Sequence, residues 1–351
     1  MSKVLIGMSG GIDSSVAAYL LKEKGYEVEG LSLILWESTR RTDFKTCCSL
    51  QAVEEASKTA QHIGIPHSTI DARDSFIERV IEPFVNSYTE GLTPNPCILC
   101  NRFIKFPLLM REAEKRGAEY IATGHYARVE PEKFLLKKGI DPKKDQSYVL
   151  YILGQKELKM LILPLGHCRK DEVRMLAKKL TIPAAKRAES QEICFIEDRN
   201  YFKFIEKLSP LAGKPGPIVD MNGKAIGTHK GIHMYTIGQR KGMGIAYNEP
   251  LYVVKIDALR NTVYAGTKES AKRKEFFVED PNWILPPSSR TFKASVKVRS
   301  MMKDESATLS LLEGGVNVLY DKPQWAPAPG QSAVFYNEDT VIGGGIIKIP
   351  V

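Results

Sequence analysis

The strongest constraint on the fold lies near the start of the chain. A short apolar strand, Val4–Met8, runs into Gly7-Met8-Ser9-Gly10-Gly11-Ile12-Asp13-Ser14-Ser15, and a helical pattern over Ser14–Lys24 follows, with Gly25 as its stop. Glycines let backbone N–H groups approach an anion, and the N-terminus of the following helix adds partial positive charge. Ser9, Ser14 and Ser15 can donate further hydrogen bonds. The loop lacks the lysine of G-x-x-x-x-G-K-[ST] and the spacing of G-x-G-x-x-G, so it is neither a Walker loop nor a dinucleotide fingerprint. The bland alternative is a tight strand–helix turn.

The remainder of the first half repeats this alternation. Strands are expected at Glu27–Leu35, Pro66–Ile70 and Tyr120–Thr123. Helices are expected at Leu50–Ile63, Ser75–Tyr88, Phe103–Arg116 and Asp171–Leu180. Such alternation predicts an α/β domain with a parallel sheet covered by helices on both faces. After residue 208 the texture changes to Gly, Pro and Lys, with Asn222-Gly223 as a hairpin signal. From residue 270 the pattern is wholly β-like. The division expected is 1–208, an α/β nucleotide-binding catalytic domain; 209–269, a small β-rich domain; and 270–351, a β-barrel. In 351 residues there is no apolar run long enough for a membrane span or a leader, which predicts a cytoplasmic protein.

The formal net charge is +9 and favours a polyanionic partner, nucleic acid first. All six cysteines fall at or before Cys194: Cys47, Cys48, Cys97, Cys100, Cys168 and Cys194. That clustering suits redox, metal or nucleophilic chemistry better than a disulfide framework. Thr93-Pro94-Asn95-Pro96-Cys97-Ile98-Leu99-Cys100-Asn101 precedes a helix, whose N-terminus is expected to lower a nearby thiol pKa. A second cysteine segment is Glu189-Ser190-Gln191-Glu192-Ile193-Cys194-Phe195-Ile196. Cys168 reads as structural, and Cys47-Cys48 as auxiliary or inert.

SGGIDSS resembles the pyrophosphate loop of the PP-loop ATP pyrophosphatases, enzymes that adenylate a carbonyl oxygen. Taken with TPNPCILCN, ATGHYA (122–127), KDQSYVLY (144–151), ESQEICFI, HKGIHMYTIGQRKGMGIA (229–246) and GQSAVFY (330–336), the chain resembles the tRNA-specific 2-thiouridylases along nearly its whole length. The resemblance implies a Rossmann-like PP-loop domain followed by β-rich central and C-terminal domains. ATP would sit on Gly7, Met8, Ser9, Gly10, Gly11, Ile12, Asp13 and Ser14, with Leu33 and Gly124 beside it, and Asp13 would help hold Mg²⁺ on the pyrophosphate. Cys100 and Cys194 would be the catalytic cysteines. Asn95, Pro96, Cys97, His125, Lys144, Asp145, Gln146, Arg299, Ser300 and Gln331 would meet the tRNA or its target base. The implied substrates are tRNAs with a wobble uridine, of the lysine, glutamate and glutamine types. A cysteine desulfurase or sulfur-relay protein would be the donor, and the enzyme would act as a monomer.

Two routes for sulfur stay open. In one, Cys194 carries a persulfide that Cys100 attacks. In the other, Cys97, Cys100 and Cys194 hold a 4Fe–4S cluster bearing a hydrosulfide. Many family members have Asp where this chain has Cys97, which tilts the reading toward the cluster. Arg102, Lys105, Lys143, Lys144, Arg187, Arg240 and Lys241 are candidate phosphate contacts. A small-molecule PP-loop ligase leaves the paired cysteines and the β-rich tail unexplained. A 2-thiocytidine enzyme does not share ESQEICFI, and a non-enzymatic RNA-binding protein leaves the glycine loop without a task.

Overall fold

The computed structural model describes residues 1–36, 50–186, 193–196 and 200–349. Cys47, Cys48, Arg187 and residues 189–192 lie outside them. The chain divides into two units: residues 1–80, 96–199 and 339–341, and residues 81–95, 200–338 and 342–351.

The first unit is built on β1 (Lys3–Gly7), β2 (Glu27–Ile34), β3 (His67–Asp71), β4 (Tyr120–Ala122) and a short later strand, ordered β3-β2-β1-β4 with the later strand outermost. All pairings are parallel. Parallel strands need crossovers, and the helices α1 (Ile12–Glu23) and α2 (Leu50–Ile63) supply the first two. Val4 and Ile6 face a core shared with Val16 and Ala17 of α1 and with Ala56 and Ala60 of α2. Gly7, of opposite parity, faces the other side of the sheet, where a Cβ would stand 3.4 Å from Leu109.

After β3 the helical run is α3 (Arg73–Phe76), a π segment Ile77–Ile81 and α4 (Glu82–Thr89). The helix expected at Ser75–Tyr88 is therefore present but interrupted. Another run is α5 (Pro96–Cys100), a π segment Asn101–Lys105 and α6 (Phe106–Lys115). It starts seven residues before the expected Phe103, because Pro96 is preset for the first helical turn. The hairpin β5 (Ala127–Glu130) and β6 (Leu135–Lys138) follows β4 and escaped the sequence reading. Thr340 pairs with Lys137 of that hairpin, which explains why 339–341 fold with this unit. Then come α7 (Gln155–Met160), β7 (Leu161–Ile162), which is the outer strand of the parallel sheet, and α8 (Lys170–Lys179).

In the second unit, α9 (Tyr201–Leu208) precedes a four-stranded sheet of β8 (Gly216–Val219), β9 (Ala225–His229), β10 (Tyr252–Asp257) and β11 (Thr262–Gly266). Asn222-Gly223 forms the expected β8–β9 turn. Gly223 has φ +83°, and Asp220 Oδ1 accepts from the N–H groups of Asn222 and Lys224. Strands β12 (Lys272–Trp283), β13 (Thr291–Lys297), β14 (Glu305–Leu312), β15 (Gly315–Trp325), β16 (Ser332–Asn337) and β17 (Thr340–Lys348) form a barrel, closed by β12–β17 pairing. Its interior holds Phe276, Val296, Leu309, Val318 and Phe335. Residues 81–95 join this unit: Thr93 N–H donates to Pro329 O at 2.8 Å, and Tyr88 packs on Tyr201.

Candidate functional site

Strand order reverses at β1: the chain builds outward through β2 and β3, then returns to place β4 on the other side. In open parallel sheets the crevice at the carboxyl ends of the strands flanking such a reversal is where ligands bind. Two segments leave those ends here. The glycine loop follows β1, and Thr123-Gly124-His125 follows β4, with Ile6 paired to Ala122.

The loop is held from several sides. Gly10 has φ +70°, and a Cβ there would lie 2.2 Å from Ala52 O, so only glycine fits. Ser9 N–H donates to Ser14 Oγ at 3.2 Å, while the hydroxyls of Ser14 and Ser15 donate to Gly11 O. Ser32 Oγ donates to Met8 O at 2.8 Å and lies 2.9 Å from His67 Nε2. Its one proton is thus committed to Met8, and Nε2–H of His67 is the donor to Ser32. Leu33, one residue on, is half-buried on β2.

Asp13 stands in the first turn of α1. Lys170 Nζ donates to its two carboxylate oxygens at 2.7 and 2.9 Å, and Tyr126 OH donates to Oδ1 at 2.7 Å. The lysine side chain is 7% exposed and the aspartate 36%. Sequence reasoning missed Lys170 and Tyr126. The lysine comes from 157 residues away and has no local pattern to mark it. Gly124 abuts the same place: a Cβ on it would fall 2.7 Å from Asp13 C and Ser14 N.

His125 carries this contact on toward Lys105, whose charge also acts on Cys100. Its Nδ1 lies 2.7 Å from Thr123 Oγ1, and its ring stacks on Phe106. Burial, reinforced by the Lys105 cation, holds its pKa well below the ordinary histidine range, so the ring is neutral at pH 7. Lys105 Nζ donates to Asn101 Oδ1 at 2.9 Å, and Asn101 Nδ2 donates to Val149 O at 2.9 Å. The same Lys105 charge acts on Cys100.

Cys97 and Cys100 sit three residues apart in one helical turn, with Cys97 exposed and Cys100 8% exposed. Burial pushes the Cys100 thiol up to about 12; Lys105 opposes this, while negative charge on Cys194 or Cys97 adds to it. Both other cysteines are therefore within electrostatic reach of Cys100. The expected lowering by a helix N-terminus does not hold at Cys100. It lies at the end of α5, where desolvation outweighs the dipole. Cys194 is half-buried, and the neighbouring Phe195 packs on Phe76 at 5.6 Å. Cys97, Cys100, Cys168 and Cys194 carry thiols rather than disulfides. Cys168, half-buried, faces Pro164 O at 3.8 Å.

The segment proposed to meet tRNA is an internal brace for much of its length. Asp145 accepts from the N–H groups of Gly139 and Ser147 and from Ser147 Oγ, and Gln146 Oε1 accepts from Tyr126 N–H at 2.9 Å. Lys144 N–H donates to Asp141 O. In the second unit, Arg299 donates to Ile237 O at 2.7 Å and Ala326 O at 3.0 Å, and Ser300 beside it is half-buried. Gln331 Nε2 donates to Thr93 O at 3.0 Å, two residues before half-buried Asn95.

Three family models match in sequence order: the tRNA methyl transferase HUP domain over residues 2–198, the tRNA methyl transferase PRC-barrel domain over 203–267, and the aminomethyltransferase beta-barrel domain over 273–347. A tRNA-specific 2-thiouridylase of a Thermoanaerobacter species is 48% identical over 99% of this chain and 98% of its own. That of Acetivibrio thermocellus is 45% identical over 99% of both chains.

The chain belongs to the tRNA-specific 2-thiouridylase family.

The 2-thiouridylase of Clostridioides difficile is 43% identical over 99% of this chain and 98% of its own. Among solved structures, an NMN synthetase from Francisella tularensis matches with TM-score 0.35 at 22% identity, over 59% of this chain and 76% of that one. A 4-thiouridine synthetase in complex with RNA and bound ATP matches with TM-score 0.37 at 18% identity, over 60% of this chain and 50% of that one. In this 2-thiouridylase, Gly124 abuts the loop at Asp13 and Ser14, and its neighbour His125 feels the same Lys105 charge as Cys100. No helix among the described residues is long and apolar enough to cross a membrane.

Proposed function

We propose that this tRNA sulfurtransferase replaces O2 of a wobble uridine with sulfur in two steps, adenylation and then sulfur transfer. The observation that carries the reading is the Thr123-Gly124-His125 segment: Gly124 touches the loop at Asp13 and Ser14, and His125 shares Lys105 with Cys100. A nucleotide activated at the loop and the Cys100 thiol would thus be linked through Gly124 and His125.

In the first step the uridine O2 forms a bond to the α-phosphorus of ATP, the α–β bridging bond breaks with its electron pair leaving on pyrophosphate, and N3 gives up its proton to solvent. Loop N–H groups and the start of α1 hold the phosphates. Magnesium takes one or two carboxylates together with phosphate oxygens. Asp13, one-third exposed at the loop, fits that role, and Mg²⁺ carried there would neutralise charge on the pyrophosphate.

In the second step the Cys100 thiolate attacks the inner sulfur of a Cys194 persulfide. The outer sulfur leaves as hydrosulfide and adds to C2, AMP departs, and N3 regains a proton. A Cys100–Cys194 disulfide remains, and an external dithiol must return two electrons to it before the next turnover. A cysteine desulfurase or sulfur-relay protein recharges Cys194. Access to C2 requires the base to leave its stack. The +9 chain would hold the anticodon arm by its phosphates, with Lys144 in the first unit and Arg299, Ser300 and Gln331 in the second as candidate contacts. For the cluster route, the described residues contain no group of three His, Cys, Asp or Glu side chains placed to hold a metal ion. Cys97, Cys100 and Cys194 are not such a group among those residues, and no step is derived through a cluster.

The test is pyrophosphate release with and without unmodified tRNA, followed by mass spectrometry of the tRNA. tRNA-dependent release with one sulfur gained per tRNA is expected. Rapid tRNA-independent turnover on a small acid or amine would overturn the reading.

A further inference from the structure

The glycine loop lacks the lysine that most phosphate loops carry, and it places a carboxylate, Asp13, where a polyphosphate must approach. Left alone, that carboxylate would repel the ligand. We infer that Lys170, from the first turn of α8, is the missing cation of this loop and binds the pyrophosphate that leaves during adenylation. The inference rests on the adenylation step proposed above and adds a residue to it.

Three observations carry it. Lys170 Nζ is 2.7 and 2.9 Å from the two oxygens of Asp13, so its charge is already at the loop. The side chain is 7% exposed, which no surface lysine needs to be, and burying an ammonium is costly unless its charge is used. The residue is also anchored twice over. Its backbone N–H donates to Asp141 Oδ2 at 3.0 Å, and its ammonium lies 5.6 Å from the Tyr126 ring centroid, whose hydroxyl holds the same Asp13 oxygen. The ammonium therefore has little freedom to leave the loop.

Asp13 is the hard-oxygen ligand that would hold Mg²⁺ brought with ATP. A carboxylate shared with that cation would bind the Lys170 ammonium less tightly and leave it to pair with the β- and γ-phosphate oxygens. There it meets negative charge that grows as the α–β bond breaks. No proton is transferred: Lys170 stays an ammonium throughout, and the electron pair of the broken bond goes to pyrophosphate.

A purely structural Lys170, present only to neutralise Asp13, predicts different behaviour from a phosphate-binding one. The variants are Lys170→Met, Lys170→Arg and Asp13→Asn/Lys170→Met, in the full chain with unmodified tRNA. Inorganic pyrophosphate and AMP serve as probes in equilibrium binding, and single-turnover pyrophosphate release gives the rate. We expect Lys170→Met to weaken pyrophosphate binding at least tenfold with AMP binding within twofold, and to slow release at least a hundredfold. Lys170→Arg should recover part of both. The doubly neutral variant should regain thermal stability yet bind pyrophosphate no better than Lys170→Met. Should Lys170→Met not fold, the doubly neutral variant and Lys170→Arg carry the test. Wild-type pyrophosphate affinity in either neutral variant, or recovery of release in the double variant, would overturn the role of Lys170. Wild-type enzyme that releases no pyrophosphate with tRNA would instead sink the adenylation reading itself.

Discussion

Burial of Cys100 makes a quantitative prediction about its ionisation. The thiol, 8% exposed, is pushed from an ordinary 9.0 up to about 12. That difference corresponds to ~4 kcal/mol against the thiolate, or ~10³ fewer thiolates at any pH well below 9. A more basic thiolate is intrinsically more nucleophilic, and a Brønsted slope of ~0.4–0.5 returns a factor of roughly 20–30. Native Cys100 should therefore react ~30–50-fold more slowly with iodoacetamide at pH 8 than the same residue in urea-unfolded protein, before any steric shielding is counted. Restricted access lowers the whole profile without moving its inflection, so the inflection decides. Peptide-resolved mass spectrometry should show the unfolded residue levelling off near pH 9, while the native one still rises tenfold per pH unit beyond pH 10. Stability carries a matching sign. The folded state keeps a proton that the unfolded state gives up, so this contribution is intact below pH 9 and is lost as pH climbs toward 12. A native inflection near 9 would refute the reasoning. If adding ATP and tRNA moves the inflection downward, the substrates themselves activate the thiol.

Gly124→Ala places a methyl 2.7 Å from the backbone of Asp13 and Ser14; overpacking of this kind costs ~1–3 kcal/mol, and the KM for ATP should rise at least tenfold with tRNA affinity unchanged, as read by steady-state kinetics and filter binding. Cys194→Ser should abolish thiolation while retaining tRNA-dependent pyrophosphate release; full thiolation by that variant would remove the persulfide role. Lys105→Met removes a cation that depresses His125, so the His125 imidazole resonance should titrate at higher pH than in wild type; an unmoved titration would contradict the shared-cation geometry. Anaerobically purified and reconstituted enzyme is expected to be active with less than about 0.1 iron per chain; stoichiometric iron tracking activity, and lost on Cys97→Ala, would restore the cluster route.

The strand–loop–helix opening, the α/β alternation, the Asn222-Gly223 turn and the later β-rich texture were all legible in the sequence. Each is set by interactions within a few residues: side-chain period, helix stops and glycine conformations. The cysteines and the glycine loop stood out in the sequence for the same reason, since SGGIDSS and C-x₂-C are local patterns. What the sequence left open depends on groups far apart in the chain. Lys170 meets Asp13 only because α8 and the loop share one core, and the hairpin β5–β6 takes Thr340 as a neighbour only after the far end of the chain returns. Asp145 and Gln146 turned inward because their acceptors found buried N–H groups on neighbouring segments. The Cys100 thiol shows the division most plainly. Its position in a motif announced a nucleophile, but desolvation by the surrounding packing, which no local pattern records, decided that it rests as a neutral thiol.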